Sequence, residues 1–148
     1  MLQARPDRRP EGMTSPPSCT VYFDGACPVC RKEIAHYQRQ RGAAAIAWID
    51  VASCDEAALG AGLDRAVAMN RFHVREADGS LASGAAAFVA IWRRLPAFAW
   101  LATPASLRPV LAVLDAGYSI FLRVRRWWRP AHTGAPPARV VPVSTERF

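Results

Sequence analysis

One stretch limits the architecture of this chain more than any other: Tyr22-Phe-Asp-Gly-Ala-Cys-Pro-Val-Cys30. It joins a short β-branched and aromatic run, Cys19-Thr-Val-Tyr-Phe23, to the start of a helical pattern. Asp24-Gly25 is a turn signal between them. Pro28 falls in the first helical turn, where a missing N–H costs nothing. The spacing predicts a helix over Pro28 to Arg41, with Cys30, Ile34 and Tyr37 on its inward face and Gly42 as its stop. A strand, a tight turn and a helix that opens on C-x-x-C leave few folds open.

The rest of the chain narrows them further. Ala45-Ile-Ala-Trp-Ile49 reads as a second strand, closed by Asp50. Residues 52–69 are helix-prone and interrupted at Gly60 and Gly62. Arg71-Phe-His-Val-Arg75 is a third strand. Ala77-Asp-Gly-Ser80 is a hairpin turn and Leu81-Ala-Ser83 a fourth strand. Gly84 to Arg94 is a helix that Pro96 stops. The order β-α-β-α-β-β-α is that of an α/β, thioredoxin-like βαβαββα core. Residues 96–129 read as a C-terminal helical extension packed on the 19–95 domain. Leu107, Val110, Leu111 and Leu114 form one apolar stripe there, and Tyr118, Phe121 and Leu122 the next. Residues 1–18 read as a flexible lead-in and 130–148, Pro-rich and polar, as a disordered tail.

Composition matters chiefly through the placement of charge. The 148 residues carry a net +7, and 18 of the 19 basic residues are Arg, with Lys32 the exception. Residues 14–122 net only +1, whereas residues 123–148 net +5. A nearly neutral body argues against nucleic acid as a partner. The basic aromatic cluster Arg125, Arg126, Trp127, Trp128 and Arg129 is instead a candidate for peripheral membrane contact or an acidic partner. The N-terminus lacks the apolar core of a secretory signal, so the expected compartment is cytoplasmic, where thiols stay reduced.

Four cysteines are present, Cys19, Cys27, Cys30 and Cys54, and one pair has the C-x-x-C spacing. A sulfur at a helix N-terminus meets unpaired backbone N–H groups and the positive end of the helix dipole. Both favour a thiolate, with pKa values as low as ~3.5–7.5. The expected division of labour makes Cys27 the exposed nucleophile and Cys30 the buried resolving thiol. Pro28 stiffens the turn. Arg31, one turn beyond Cys27, adds positive potential. Asp24 is a candidate proton acceptor or a group that tunes the thiolate, with a plain turn role as the alternative. No cofactor beyond the redox-active disulfide is expected. Two other readings stand beside redox. A metal site would need ligands beyond the single C-x-x-C, and an inert pair of thiols needs no chemistry. The strand–turn–helix placement favours redox.

These residues resemble the signature of the DCC family of thiol–disulfide oxidoreductases, named for the Asp and two Cys that stand here as Asp24, Cys27 and Cys30. The likeness extends through Trp48-Ile-Asp50, Ala68 to Val74, Asp78-Gly79, Gly84 to Pro96, Gly117-Tyr118 and the Arg/Trp-rich end, and spans about residues 19–128. It implies a thioredoxin-like fold and a dithiol exchanging with a disulfide-containing protein or a small thiol, fed by an unknown electron donor. Two positions depart from the expected pattern. Ala86 stands where relatives often carry an Asp. Met69-Asn70 stand where thioredoxins place a Pro that receives substrate backbone.

Overall fold

The computed structural model describes residues 15–128. The flexible ends expected over 1–18 and 130–148 lie mostly or wholly outside them, as does Arg129. A four-stranded mixed sheet has the order β2-β1-β3-β4. The strands are β1 (Cys19–Phe23), β2 (Ile46–Asp50), β3 (His73–Glu76) and β4 (Leu81–Ser83). β1 is central. It runs parallel to β2, with Val21 opposite Trp48, and antiparallel to β3, with Val21 opposite Val74. Five helices accompany the sheet: α1 (Pro28–Gln38), α2 (Arg65–Asn70), α3 (Ala85–Trp92), α4 (Ala99–Ala105) and α5 (Arg108–Arg125). This is the thioredoxin-like βαβαββα arrangement that the element order predicts, with α4 and α5 added behind α3.

The period of two in β1 builds two cores. Cys19 and Val21 face α1 and α3, where they join Ile34, Tyr37, Val74 and Ile91. Tyr22 faces the other way, into a smaller cluster with Val51, Leu59, Leu63 and Ala68. Arg75 ties the second cluster down. Its Nη2 donates to the carbonyls of Leu59 at 3.0 Å and Ala61 at 2.7 Å, and its Nε donates to the Tyr22 hydroxyl at 3.2 Å.

Two elements differ from expectation. α1 ends at Gln38 rather than Arg41, because the chain must turn at Gly42 (φ +91°) to enter β2. The two helical pieces expected over 52–69 fall on either side of Gly60 and Gly62 but are shorter than that span, a 3₁₀ turn at Glu56–Leu59 and the six-residue α2.

The larger difference is in α5. Of its first expected apolar stripe only Leu111 packs on the domain, while Leu107, Val110 and Leu114 are exposed; Tyr118, Phe121 and Leu122 of the second are partly buried. The inward face is Leu111, Asp115, Tyr118, Leu122 and Arg125, at i, i+4, i+7, i+11 and i+14. Polar groups dominate it because they have fixed partners in the domain. Arg71 pairs with Asp115, and the Phe72 N–H donates to the Tyr118 hydroxyl at 2.8 Å. Burial of a polar group is tolerated where such partners exist.

Candidate functional site

β1 delivers Asp24 to the end of the sheet, and the turn after it places Cys27 at the N-cap of α1. The turn is held from both sides. Asp24 Oδ1 accepts from the Ala26 N–H at 3.1 Å, and the Asp24 carbonyl accepts from the Cys27 N–H at 3.2 Å. From β2, Asp50 Oδ1 accepts from the N–H groups of Gly25 and Ala52, both at 2.9 Å. Glycine at position 25 leaves room for this contact, since a Cβ there would overlap the Asp50 carboxylate and push it aside. Asp50 was read only as the end of a strand. Its clamp on the Cys loop depends on β2 lying beside β1, and no local pattern reveals that.

All four thiols are free. The expected order of exposure at the dithiol is reversed: Cys27 is 0% exposed, whereas Cys30 is partly exposed. Helical periodicity put Cys30 in line with Ile34 and Tyr37. It missed that the loop folding over Asp24 buries the cap residue more deeply than the first turn. Burial, and then a hydrogen bond with Cys27, push the Cys30 thiol up to about 12, against an ordinary value of 9.0. The proton therefore stays on Cys30 in the resting dithiol.

The guanidinium at the site comes from α5. Arg125 is 5% exposed, where sequence had placed it in an exposed basic cluster. It cannot belong to a surface contact while it fills this position. Arg125 Nη1 lies 3.6 Å from Cys30 Sγ and 3.8 Å from Asp24 Oδ2. Its Nη2 donates to the Met69 carbonyl at 2.9 Å. Burial alone would favour loss of its proton. Contact with Cys30 and Asp24 outweighs that and holds the guanidinium above its ordinary value. Arg31, expected to supply positive potential, is exposed on α1, as is Pro28. Arg125 continues the stripe of Tyr118 and Leu122 at i+7 and i+3, but nothing local in the sequence says that this stripe meets the dithiol.

Arg125 also bridges the dithiol to Met69, in the segment before β3. Its neighbour Arg71 stacks over the Tyr118 ring at 5.4 Å. Asp24, Cys30, Arg71, Tyr118 and Arg125 enclose a cavity of about 30 Å³, room for one water. Beside it an apolar groove of about 360 Å³ runs between α1, α3 and α5, lined by Val29, Phe88, Trp92, Leu114 and Phe121 among others.

The remaining candidates stand apart. Cys19 lies at the far end of β1, and Cys54 packs with the second cluster. His36 sits edge-on to Phe98 at 5.9 Å rather than at the dithiol. His73 is buried and its Nδ1–H donates to the Arg71 carbonyl at 2.6 Å. Among the described residues no group of three His, Cys, Asp or Glu side chains is placed to hold a metal. A carboxylate does reach the start of α3, where Ala86 lacks one. It is Asp115 of α5, which accepts from the Ala85 N–H at 3.2 Å.

Residues 21–130 match the DCC1-like thiol-disulfide oxidoreductase family, and the chain belongs to that family. No curated protein and no solved structure matched the chain.

Proposed function

We propose that the protein exchanges a Cys27–Cys30 dithiol with the disulfide of a protein or small-thiol substrate, drawing on no cofactor beyond that pair. The observation that carries this reading is the asymmetry of the pair. One sulfur sits at a helix cap, where the helix dipole favours negative charge. The other holds its proton and faces a buried arginine. A thiol near 12 is thiolate only about one part in 10⁵ at pH 7, so Cys30 is a poor first attacker.

Cys27 attacks one sulfur of the substrate disulfide, and the other leaves as a thiolate. Since Cys27 is covered at rest, the Asp24–Cys27 loop shifts to admit the substrate. Cys30 then loses its proton and attacks Cys27 Sγ. The Cys27–Cys30 disulfide forms and the second substrate sulfur departs. Two electrons pass from the protein dithiol to the substrate, and the reverse sequence oxidises a substrate dithiol. Arg125 stabilises the Cys30 thiolate as it appears. Asp24, on the same guanidinium and cavity, passes the proton between Cys30 and solvent or the departing thiolate. Pro28 limits the turn, and Arg31 adds only a solvent-screened charge. In a reducing cytoplasm the dithiol form described here would be the resting one.

Substrate trapping tests the roles. Cys30→Ser is expected to accumulate a mixed disulfide through Cys27, and Cys27→Ser to accumulate none. The opposite result would exchange the roles. Failure of the wild-type chain to lose about 2 Da on equilibration with oxidised glutathione would end the redox reading.

A further inference from the structure

α5 is built inside out for a helix on a protein surface. Its polar groups, Asp115, Tyr118 and Arg125, turn into the domain. Its outward face is Pro109, Val113, Ala116, Ile120 and Val124, all exposed, at spacings of 4, 3, 4 and 4. Val113 is 71% exposed and Ile120 59%. A surface helix ordinarily carries its charges there. A contiguous exposed apolar strip of this length marks a contact surface.

What borders the strip identifies the partner. Arg108 stands at its start, and Arg123 and Arg126 at its end, all exposed. The one acidic residue of 97–128, Asp115, lies off this strip and is paired with Arg71, its side chain 42% exposed. Trp127 is 88% exposed beyond the helix, and Trp100 is 71% exposed on α4. Indole rings and arginines around an aliphatic strip are the chemistry of the membrane–water boundary. Two copies joined through this face would bring like charges together. No single helix among the described residues is long and apolar enough to cross a membrane. α4 and α5 pass that test only as a pair bent by 103°. The geometry is that of a helix lying in the surface.

We propose that the outward face of α5, with Trp100 and Trp127, docks on an anionic lipid surface. The strip enters the headgroup boundary while Arg108, Arg123 and Arg126 meet lipid phosphates and carboxylates. The basic aromatic end expected from sequence shifts accordingly: Arg125 is withdrawn into the redox site, and the aliphatic strip takes over as the anchor. The helix that docks is thus the one whose inner face completes the dithiol site.

Flotation of the full chain with phosphatidylcholine vesicles, with and without phosphatidylserine, tests this. Binding is expected on the anionic vesicles, with a blue shift of tryptophan emission and partial release by salt. The double variant Val113→Asp/Ile120→Asp keeps every arginine and should lose at least about tenfold in partitioning. Arg123→Gln/Arg126→Gln should lose the preference for anionic over neutral vesicles. Unchanged binding in the Asp variant would assign the attraction to the basic residues beyond the helix and overturn the proposal. So would absence of binding at low salt, or a dimer in sedimentation that the Asp variant dissolves.

Discussion

Arg125 reaches from the last turn of α5 to within 3.6 Å of Cys30 Sγ, across 95 residues of sequence. Its guanidinium also holds the Met69 carbonyl and faces Asp24. The C-terminal helix is therefore part of the dithiol site.

Replacing Arg125 by Met should slow the resolving step. A cation at this distance shifts an acidic group by about 1–3 pKa units. Decay of the mixed disulfide is expected to slow about tenfold or more, read by quenched-flow and mass analysis, with Arg125→Lys recovering part of the rate. The Met variant should also lose about 1–3 kcal/mol, because it removes the buried guanidinium's contacts with Asp24 and the Met69 carbonyl. Equal decay rates in wild type and Met variant would remove Arg125 from the chemistry.

Cys30 should resist alkylation. At pH 8 a thiol near 12 is about a thousandfold less ionised than one near 9. Brief iodoacetamide treatment followed by peptide mapping should leave Cys30 unmodified despite its partial exposure. Modification at the rate of an ordinary free thiol would contradict the assigned proton.

Stability should fall on both sides of neutrality. His73 is held below its ordinary 6.5, first by burial, so the folded state binds fewer protons there and loses stability as pH drops through 6.5. Cys30 is raised to about 12, so its contribution is intact below 9 and lost as pH rises toward 12. Urea midpoints are expected to be flattest between pH 6.5 and 9.0, and Cys30→Ala should weaken the alkaline decline.

Gly25→Ala should push the Asp50 carboxylate off the Cys loop, since the added Cβ overlaps it. A loss of about 1–3 kcal/mol is expected in denaturant unfolding. Asp50→Ala, which frees the N–H groups of Gly25 and Ala52, should cost a similar amount. Cys27 should react faster with small alkylating agents in both variants, because the loop that covers it is loosened. Unaltered Cys27 reactivity would mean that the clamp does not govern access.

Asp115→Ala should cost about 1 kcal/mol through the start of α3, where the carboxylate accepts from the Ala85 N–H. It also releases Arg71, so part of the loss should appear as slower exchange at Cys30 through the α5 contact. Full activity with lowered stability would confine Asp115 to a structural role.

Much of this was legible beforehand. Alternation in Cys19–Phe23 and in β3, the turn residues at Asp24-Gly25 and Asp78-Gly79, and the breaks at Gly60 and Pro96 place four strands and three helices nearly in register with the structure. Those signals are local: backbone preferences and side-chain period act within a few residues. The Asp24, Cys27, Cys30 constellation was legible for the same reason, as its members lie within seven residues.

The exposure of the two sulfurs, the source of the cation and the orientation of α5 were not legible. Each depends on what a distant segment brings. Asp50 crosses from β2 to fasten the loop over Cys27. Asp115, Tyr118 and Arg125 find partners in Arg71, Phe72, Asp24 and Cys30, and those bonds outweigh the burial of Val110, Val113 and Ile120. Sequence by itself determined the fold class and the dithiol, because both are written in short-range pattern. The tertiary structure alone decided which thiol is covered, which arginine serves it and which face of α5 is left apolar. Polar partners separated by tens of residues set these, and a rule that buries only apolar stripes turns the helix the wrong way.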